Sequence, residues 1–186
     1  MELFQKKPEK IQIQHIGVAK LAAGQMSRIL ANQINIIHIW PRIVSCYGPY
    51  DYKKTMVIDS IKTMLEKNVS PKLTKAQQQW DYIYSKDIAK AYYLIAEKGK
   101  NNETYCIAQG EHNKLSNYIE IIKNKINPNI KLKFGEIPYV NGKIINLAVD
   151  ISKLKADTGF EPDYNFEKGI EETINWYKKE ILERNE

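Results

Sequence analysis

Cysteine is nearly absent from this 186-residue chain: only Cys46 and Cys106 occur, far apart in sequence. That excludes a disulfide framework and any CxxC metal site, and predicts two buried, reduced thiols in β-like apolar stretches. The three histidines, His15, His38 and His112, lack metal-ligand spacing and are expected to be structural or exposed. No apolar run approaches the length of a membrane span. The opening "MELFQKKPEK" has no apolar h-region, so a cytoplasmic location is expected. The nine glycines are scattered, with no GxGxxG and no P-loop among them. No GxSxG elbow occurs either. Nothing in the chain is a self-sufficient active site.

What is present is globular in character. Hydrophobic residues make up 43%, enough for one domain with a sizeable core. The net charge of +6 permits nucleic-acid binding in principle. The lysines are spread out, however (Lys6, Lys7, Lys53, Lys54, Lys123, Lys125, Lys178 and Lys179), without a block of like charge. No aromatic stacking motif accompanies them, so the charge reads as a solvated surface that attracts an anionic ligand. Neither a nucleic-acid nor a membrane partner is expected.

Strand-like and helix-like segments alternate. Ala19, Ala22, Ala23, Met26, Ile29 and Leu30 recur at helical spacing and predict a helix over 16–34. Small residues, Ala19, Ala22, Ala23 and Gly24, would let it lie close to a neighbour. "INIIHIWPRIVSCYGP" is β-rich and ends in the turn pair Gly48-Pro49, with Pro41 marking an edge or irregularity. A helix is expected near 55–67, then a strand at "WDYIYS". Asp87 reads as the cap of a third helix, with Ile88, Ala91, Tyr92 and Ile95 inward and Gly99 as its stop. "ETYCIA" reads as a strand, Ser116 as the cap of a helix ending before Pro128, and "IKLKF" as another strand. Asp150 precedes a short helix. The last helix carries Phe166, Ile170, Ile174, Tyr177 and Ile181 on one face. Alternating strands and helices predict an α/β fold, with few strands for a complete open sheet.

The order of motifs resembles a known family. "IGVAKLAAGQM" is similar to a YGxxKxxxE-like helix, "RIVSCYGPYD" to RxxNVYGP and "WDYIYSKDIAKA" to RDFIYVxDVAxA. "DISKLKADTGFEPDYNFEKGIEETINWY" is similar to DxSKAxxxLGWxPxxxLEEGIxxTxxW. Each block is weak alone; the four in this order resemble the C-terminal half of an extended short-chain dehydrogenase/reductase, of the NAD(P)-dependent nucleotide-sugar epimerase/dehydratase family. The resemblance implies a partial Rossmann-like parallel sheet, second half only, plus a small mixed α/β substrate-binding lobe. On it, residues of about 15–50 and 80–100 form the Rossmann remnant, about 51–79 and 101–165 the substrate lobe, and 166–184 a C-terminal helix.

The resemblance also implies roles for residues. In the family a tyrosine stands four residues before a lysine on one helix, so that the two side chains share a face. The lysine and the nicotinamide charge lower the tyrosine's pKa from its usual value near 10 for proton transfer. Lys20 matches the lysine, which also hydrogen-bonds the nicotinamide ribose; Ile16 occupies the tyrosine position. His15 lies about 140° around the helix from Lys20 and is a poor substitute. Tyr47, Gly48 and Pro49 match the loop beside the nicotinamide and sugar, although a turn with a buried ring is the plainer reading. Arg42 matches a structural inner-strand arginine, and Asp87 a helix cap.

Two positions depart from the pattern on the substrate side. Trp80 stands where many relatives have an arginine on the sugar-nucleotide diphosphate, and Lys143 is the nearest match to a second. A tryptophan can stack but cannot neutralise phosphate. The only arginines are Arg28, Arg42 and Arg184.

The resemblance therefore implies NAD or NADP as the family's cofactor, held weakly by this chain alone, and a nucleotide-sugar substrate. With the Gly-rich fingerprint and the tyrosine both missing, a truncated member without catalytic competence is expected. The alternative is an interaction or substrate-binding module that completes its fold with a separate N-terminal half or as a homo-oligomer. In either case the helix over 16–34 is expected to leave part of its apolar face in water.

Overall fold

The computed structural model describes residues 8–52, 55–139, 142 and 144–184. Helix α1 (Pro8–Gln33) leads into β1 (Trp40–Ile43) and β2 (Cys46–Tyr47). Helix α2 (Met56–Lys67) follows, then β3 (Gln79–Trp80), β4 (Ile83–Tyr84) and α3 (Ser85–Lys98). The chain continues through β5 (Thr104–Ile107), β6 (Asn113–Lys114), α4 (Leu115–Ile126), α5 (Ser152–Thr158) and α6 (Phe166–Arg184). β1 pairs in parallel with β5, β2 in parallel with β4, and β3 antiparallel with β6. Parallel strands joined through helices make this the α/β architecture that the alternating pattern predicts. Pro41 sits in β1, whose only paired neighbour among the described residues is β5. A residue without an N–H is tolerated on such an edge.

Two apolar clusters hold the elements together. One packs Ile83, Ile88, Ala91 and Ile95 against Tyr105, Ile107, Ile151, Leu154 and Phe160. It joins α3 and α5 to the β1–β5 pair. The other gathers Val57, Ile58 and Ile61 of α2, Ile119 and Ile122 of α4, and Ile170, Ile174 and Tyr177 of α6. Tyr47 and Tyr84 belong to the second cluster, so the β2–β4 pair lies where the two cores meet.

Several local expectations change in the folded chain. The "WDYIYS" segment is two short strands rather than one. Asp81 interrupts it: fully buried, it accepts hydrogen bonds from the Gln109 N–H at 2.9 Å and the Gly110 N–H at 3.0 Å. Asp87 is not a cap, because α3 begins at Ser85. Its carboxylate reaches across to the N–H groups of Asp163 (2.9 Å) and Tyr164 (3.1 Å), tying α3 to the turn before α6. Tyr92 points outward, 44% exposed, while Ile88, Ala91 and Ile95 are buried as expected. Ser116 lies inside α4, which begins at Leu115 and has no side-chain cap. "IKLKF" forms no strand. Its neighbourhood is held instead by the Lys133 N–H on Ser70 Oγ and the Gly135 N–H on the Leu73 carbonyl. Cys46 is exposed rather than buried, and Cys106 is intermediate.

The largest departure from ordinary burial is α1. Val18 is 65% exposed, Met26 70%, Ile29 60% and Leu30 56%. Along the described side chains of the helix only Gly24 and Ala31 are buried. Gly24 meets the Trp40 ring so closely that an added Cβ would lie 2.8 Å from Cε2. The helix approaches β1 at this small-residue contact, and Val18, Met26, Ile29 and Leu30 face water. Among the described residues, no helix is long and apolar enough to cross a membrane.

Candidate functional site

The matched segments "RIVSCYGPYD" and "WDYIYS" become facing walls of one groove. Ser45, Cys46 and Tyr47 supply one side, Trp80 and Tyr82 another, and Thr55, Met56 and Val57 at the start of α2 a third; Gln78 and Leu115 close it. Its volume is about 320 Å³. A second recess of about 340 Å³ continues from it, sharing Thr55, Met56, Gln78 and Leu115 and running on past Pro71 and Leu73. α2 starts here because Thr55 is extended and its Oγ1 accepts the Ile58 N–H.

Tyr47 is a wall, not a reagent. It is 2% exposed, donates its hydroxyl to the Phe166 carbonyl at 3.3 Å, and packs on Tyr84 and Phe166. Burial pushes its phenol far above the ordinary tyrosine value. Gly48 lets the backbone pass Ser85, whose Oγ would lie 2.4 Å from an added Cβ. Pro49 completes the turn and is half-buried. Trp80 is fixed at both ends: its Nε1–H donates to Ser45 Oγ at 2.8 Å, and its carbonyl accepts the Tyr118 hydroxyl at 2.9 Å. Burial pushes the Tyr118 phenol up to about 12. Tyr82 stacks edge-on against both Tyr47 and Tyr118. The groove is an aromatic slot whose two lining phenols, Tyr47 and Tyr82, are pushed up by burial.

Lys20 is elsewhere. It is exposed on α1 and lines a separate cleft of about 490 Å³ with Trp40, Arg42, Ile43 and Tyr92. Ile16, one turn away, is 58% exposed. Arg42 faces this cleft from β1 and is exposed. Lys143 lies outside the described residues. Among the described residues, no group of His, Cys, Asp or Glu is placed to hold a metal ion.

The fit to a dinucleotide is partial. Lys20 lines the cleft, and Ile16 offers neither a proton nor a hydrogen bond at the position of the family's tyrosine. No glycine-rich turn is available to cradle a pyrophosphate. These residues do not by themselves fit NAD or NADP.

Residues 13–108 match the NAD dependent epimerase/dehydratase family. This chain belongs to that family. Among its relatives is a dTDP-glucose 4,6-dehydratase of Escherichia coli, 30% identical over 188 aligned positions that cover 91% of this chain and 51% of that protein. A dTDP-glucose 4,6-dehydratase of Shigella flexneri is 30% identical over 165, covering 79% and 45%. In architecture the chain resembles a UDP-glucose 4-epimerase of Thermotoga maritima solved with UDP-glucose. There the TM-score is 0.79 at 23% identity, over 89% of this chain and 53% of that one. The dTDP-glucose 4,6-dehydratase of Bacillus anthracis, solved with NAD, gives a TM-score of 0.69 at 23% identity, over 84% and 50%. The chain thus spans about half the length of the relatives it matches.

The groove contains residues that sequence reading passed over: Ser45, Thr55, Met56 and Gln78. Gln78 stands two residues before Trp80, inside a run of three glutamines with no periodic signal. Only the fold turns one of the three into the pocket.

Proposed function

We propose that this chain is the substrate-side part of a nucleotide-sugar epimerase or dehydratase, and that the 186-residue stretch alone is not catalytically competent. Membership of the family supports the substrate class. The observation that carries the reading is the groove itself, whose walls are built from two of the family-like segments, with Tyr47 and Trp80 brought together on it. Trp80 gives the base or sugar a flat face. Phosphate binding has to come from elsewhere, because a tryptophan supplies no charge.

The proposed division of labour follows the two cores. Residues of about 15–50 and 80–100 frame the cofactor side, with β5 and α5 packed on them. About 51–79 and 101–165 form the substrate lobe, closed by 166–184, with its α4 packed on α2 and α6. The exposed faces of α1 and β1 meet a dinucleotide-binding half that supplies the pyrophosphate cradle, whether from the same polypeptide or another. A β1 edge unpaired among the described residues, beside an apolar helix face, supports that placement.

Titrating the 186-residue chain with UDP, dTDP and UDP-glucose while following tryptophan emission tests the reading. Saturable quenching by a nucleotide is expected, with no turnover and no micromolar binding of NADH. Tight NADH binding would remove the claim of incompetence, and indifference to every nucleotide would remove the substrate assignment.

A further inference from the structure

Another recess lies against the last helix, away from the groove. Tyr50, Tyr52, Trp176, Lys179, Glu180 and Glu183 line a cleft of about 470 Å³. None of these residues lines the groove between Tyr47 and Trp80. The loop after Gly48 and Pro49 brings its two tyrosines to α6 and is fastened there. The Tyr177 hydroxyl donates to the Asp51 carbonyl, and the Tyr52 hydroxyl donates to Glu180 Oε2 at 3.3 Å. The three rings do not form a flat platform. Tyr50 meets Trp176 at a centroid distance of 4.7 Å and an interplanar angle of 50°, and Tyr52 meets it at 6.0 Å and 71°. Tyr50 holds its place from the left-handed region, at φ 64°. A bulky residue rarely adopts that backbone.

Rings set at such angles present π faces from several sides, and each negative face attracts a cation within about 6 Å of its centroid. The fold already uses this chemistry beside the cleft. Lys62 Nζ lies 5.7 Å from the Tyr52 centroid and 5.3 Å from that of Tyr177. Lys62 does not line the cleft, and no cation of the described residues lies over Tyr50 or Trp176. The rim has the matching sign. Glu180 and Glu183, neighbours on one face of α6, bring two carboxylates to the cleft against the single ammonium of Lys179. We propose that this cleft is a binding site for a small alkylammonium ion, held by the faces of Tyr50, Tyr52 and Trp176 and balanced by Glu180 and Glu183. A quaternary ammonium suits it best, because its methyl groups bury apolar surface on the rings and it has no N–H that needs an acceptor. The site is separate from the groove and independent of what the groove binds.

The test compares choline with its uncharged analogue, in which carbon replaces the quaternary nitrogen. Both are titrated into the unaltered chain, and the methyl proton resonance of each is followed by NMR. The unaltered chain is expected to bind choline about tenfold more tightly than the analogue, with the methyl resonance moved upfield by the rings. Tyr50→Ala and Glu183→Gln are each expected to weaken choline about two- to fivefold, with little change in melting temperature because both side chains are exposed. Equal affinity of the unaltered chain for the two ligands overturns the proposal, since an apolar cleft would treat them alike, and it does so whether or not the variants fold. Failure of choline to bind the unaltered chain overturns it too. Choline binding that keeps its full strength in both folded variants places the cation elsewhere and overturns it as well. The nucleotide reading of the groove is untouched by any of these results.

Discussion

Position 16 and position 169 show how differently single residues constrain this molecule. Ile16 shares a helix with Lys20 but has no chemistry to share, and it is 58% exposed. Restoring tyrosine there supplies a phenol without a cofactor cradle. Ile16→Tyr is accordingly expected to show no epimerase or dehydratase turnover in a coupled assay, and turnover by that variant alone would contradict the proposed division of labour. Gly169 is the opposite case, a matched glycine of the last motif whose reason only the fold shows. A Cβ there would lie 2.4 Å from the Tyr47 hydroxyl oxygen and 2.9 Å from the Tyr84 ring. Alanine would gain up to about 1 kcal/mol of helix propensity, against about 1–3 kcal/mol for overpacking. Gly169→Ala is therefore expected to lower the melting temperature by a few degrees and to weaken nucleotide binding by displacing Tyr47. An unchanged or higher melting temperature would show that the Tyr47 wall yields.

At the scale of elements, helices were legible and short strands were not. α2, α3 and α6 advertise themselves by apolar residues at helical spacing and by stops such as Gly99, whose N–H bonds the Ile95 carbonyl at 2.8 Å. The two-residue strands β2, β3, β4 and β6 are too brief for a period to emerge. "IKLKF" has the alternation of a strand yet finds no partner to pair with. Tertiary ties were equally hidden. Asp87 resembles a cap in sequence because caps are local, whereas its actual partners lie 76 and 77 residues away. Asp87→Ala should leave two N–H groups unsatisfied and cost about 2 kcal/mol, measurable by urea unfolding. A loss within error would mean that water replaces the carboxylate. α3 and α6 are also joined through Glu172, which accepts from Lys86 and from the Tyr84 hydroxyl, each at 2.7 Å. Those bonds, Lys86 first, hold its carboxyl below the usual range. Its contribution is thus complete above the unfolded-state value and lost as pH falls through the lowered folded value. Glu172→Gln should therefore flatten the decline of melting temperature between about pH 5 and 3; parallel curves for the two proteins would show that the bridge is too solvated to matter.

For the whole molecule, the family and the order of its segments were readable, and so was the apolar face of α1. The groove was legible only in part: Tyr47 and Trp80 lie in matched segments, whereas Thr55, Gln78 and Leu115 join it from stretches without a pattern. The consequence of the bare helix is physical. Exposed apolar surface costs ~25 cal/mol per Å², and Val18, Met26, Ile29 and Leu30 lie on one element beside the open edge of β1. Contiguous patches of this kind drive association unless covered. The isolated 186-residue chain is expected to self-associate with rising concentration and to bind an apolar-sensing dye. Met26→Lys combined with Ile29→Lys should suppress both effects with little change in melting temperature, since neither side chain is buried. If the same surface seats a dinucleotide-binding half, the double variant should also fail to pull down that half of a relative supplied as a separate polypeptide, while still binding UDP through its intact groove. A monodisperse parent chain that binds no dye would show that α1 needs no cover, and the proposed interface would then lose its support.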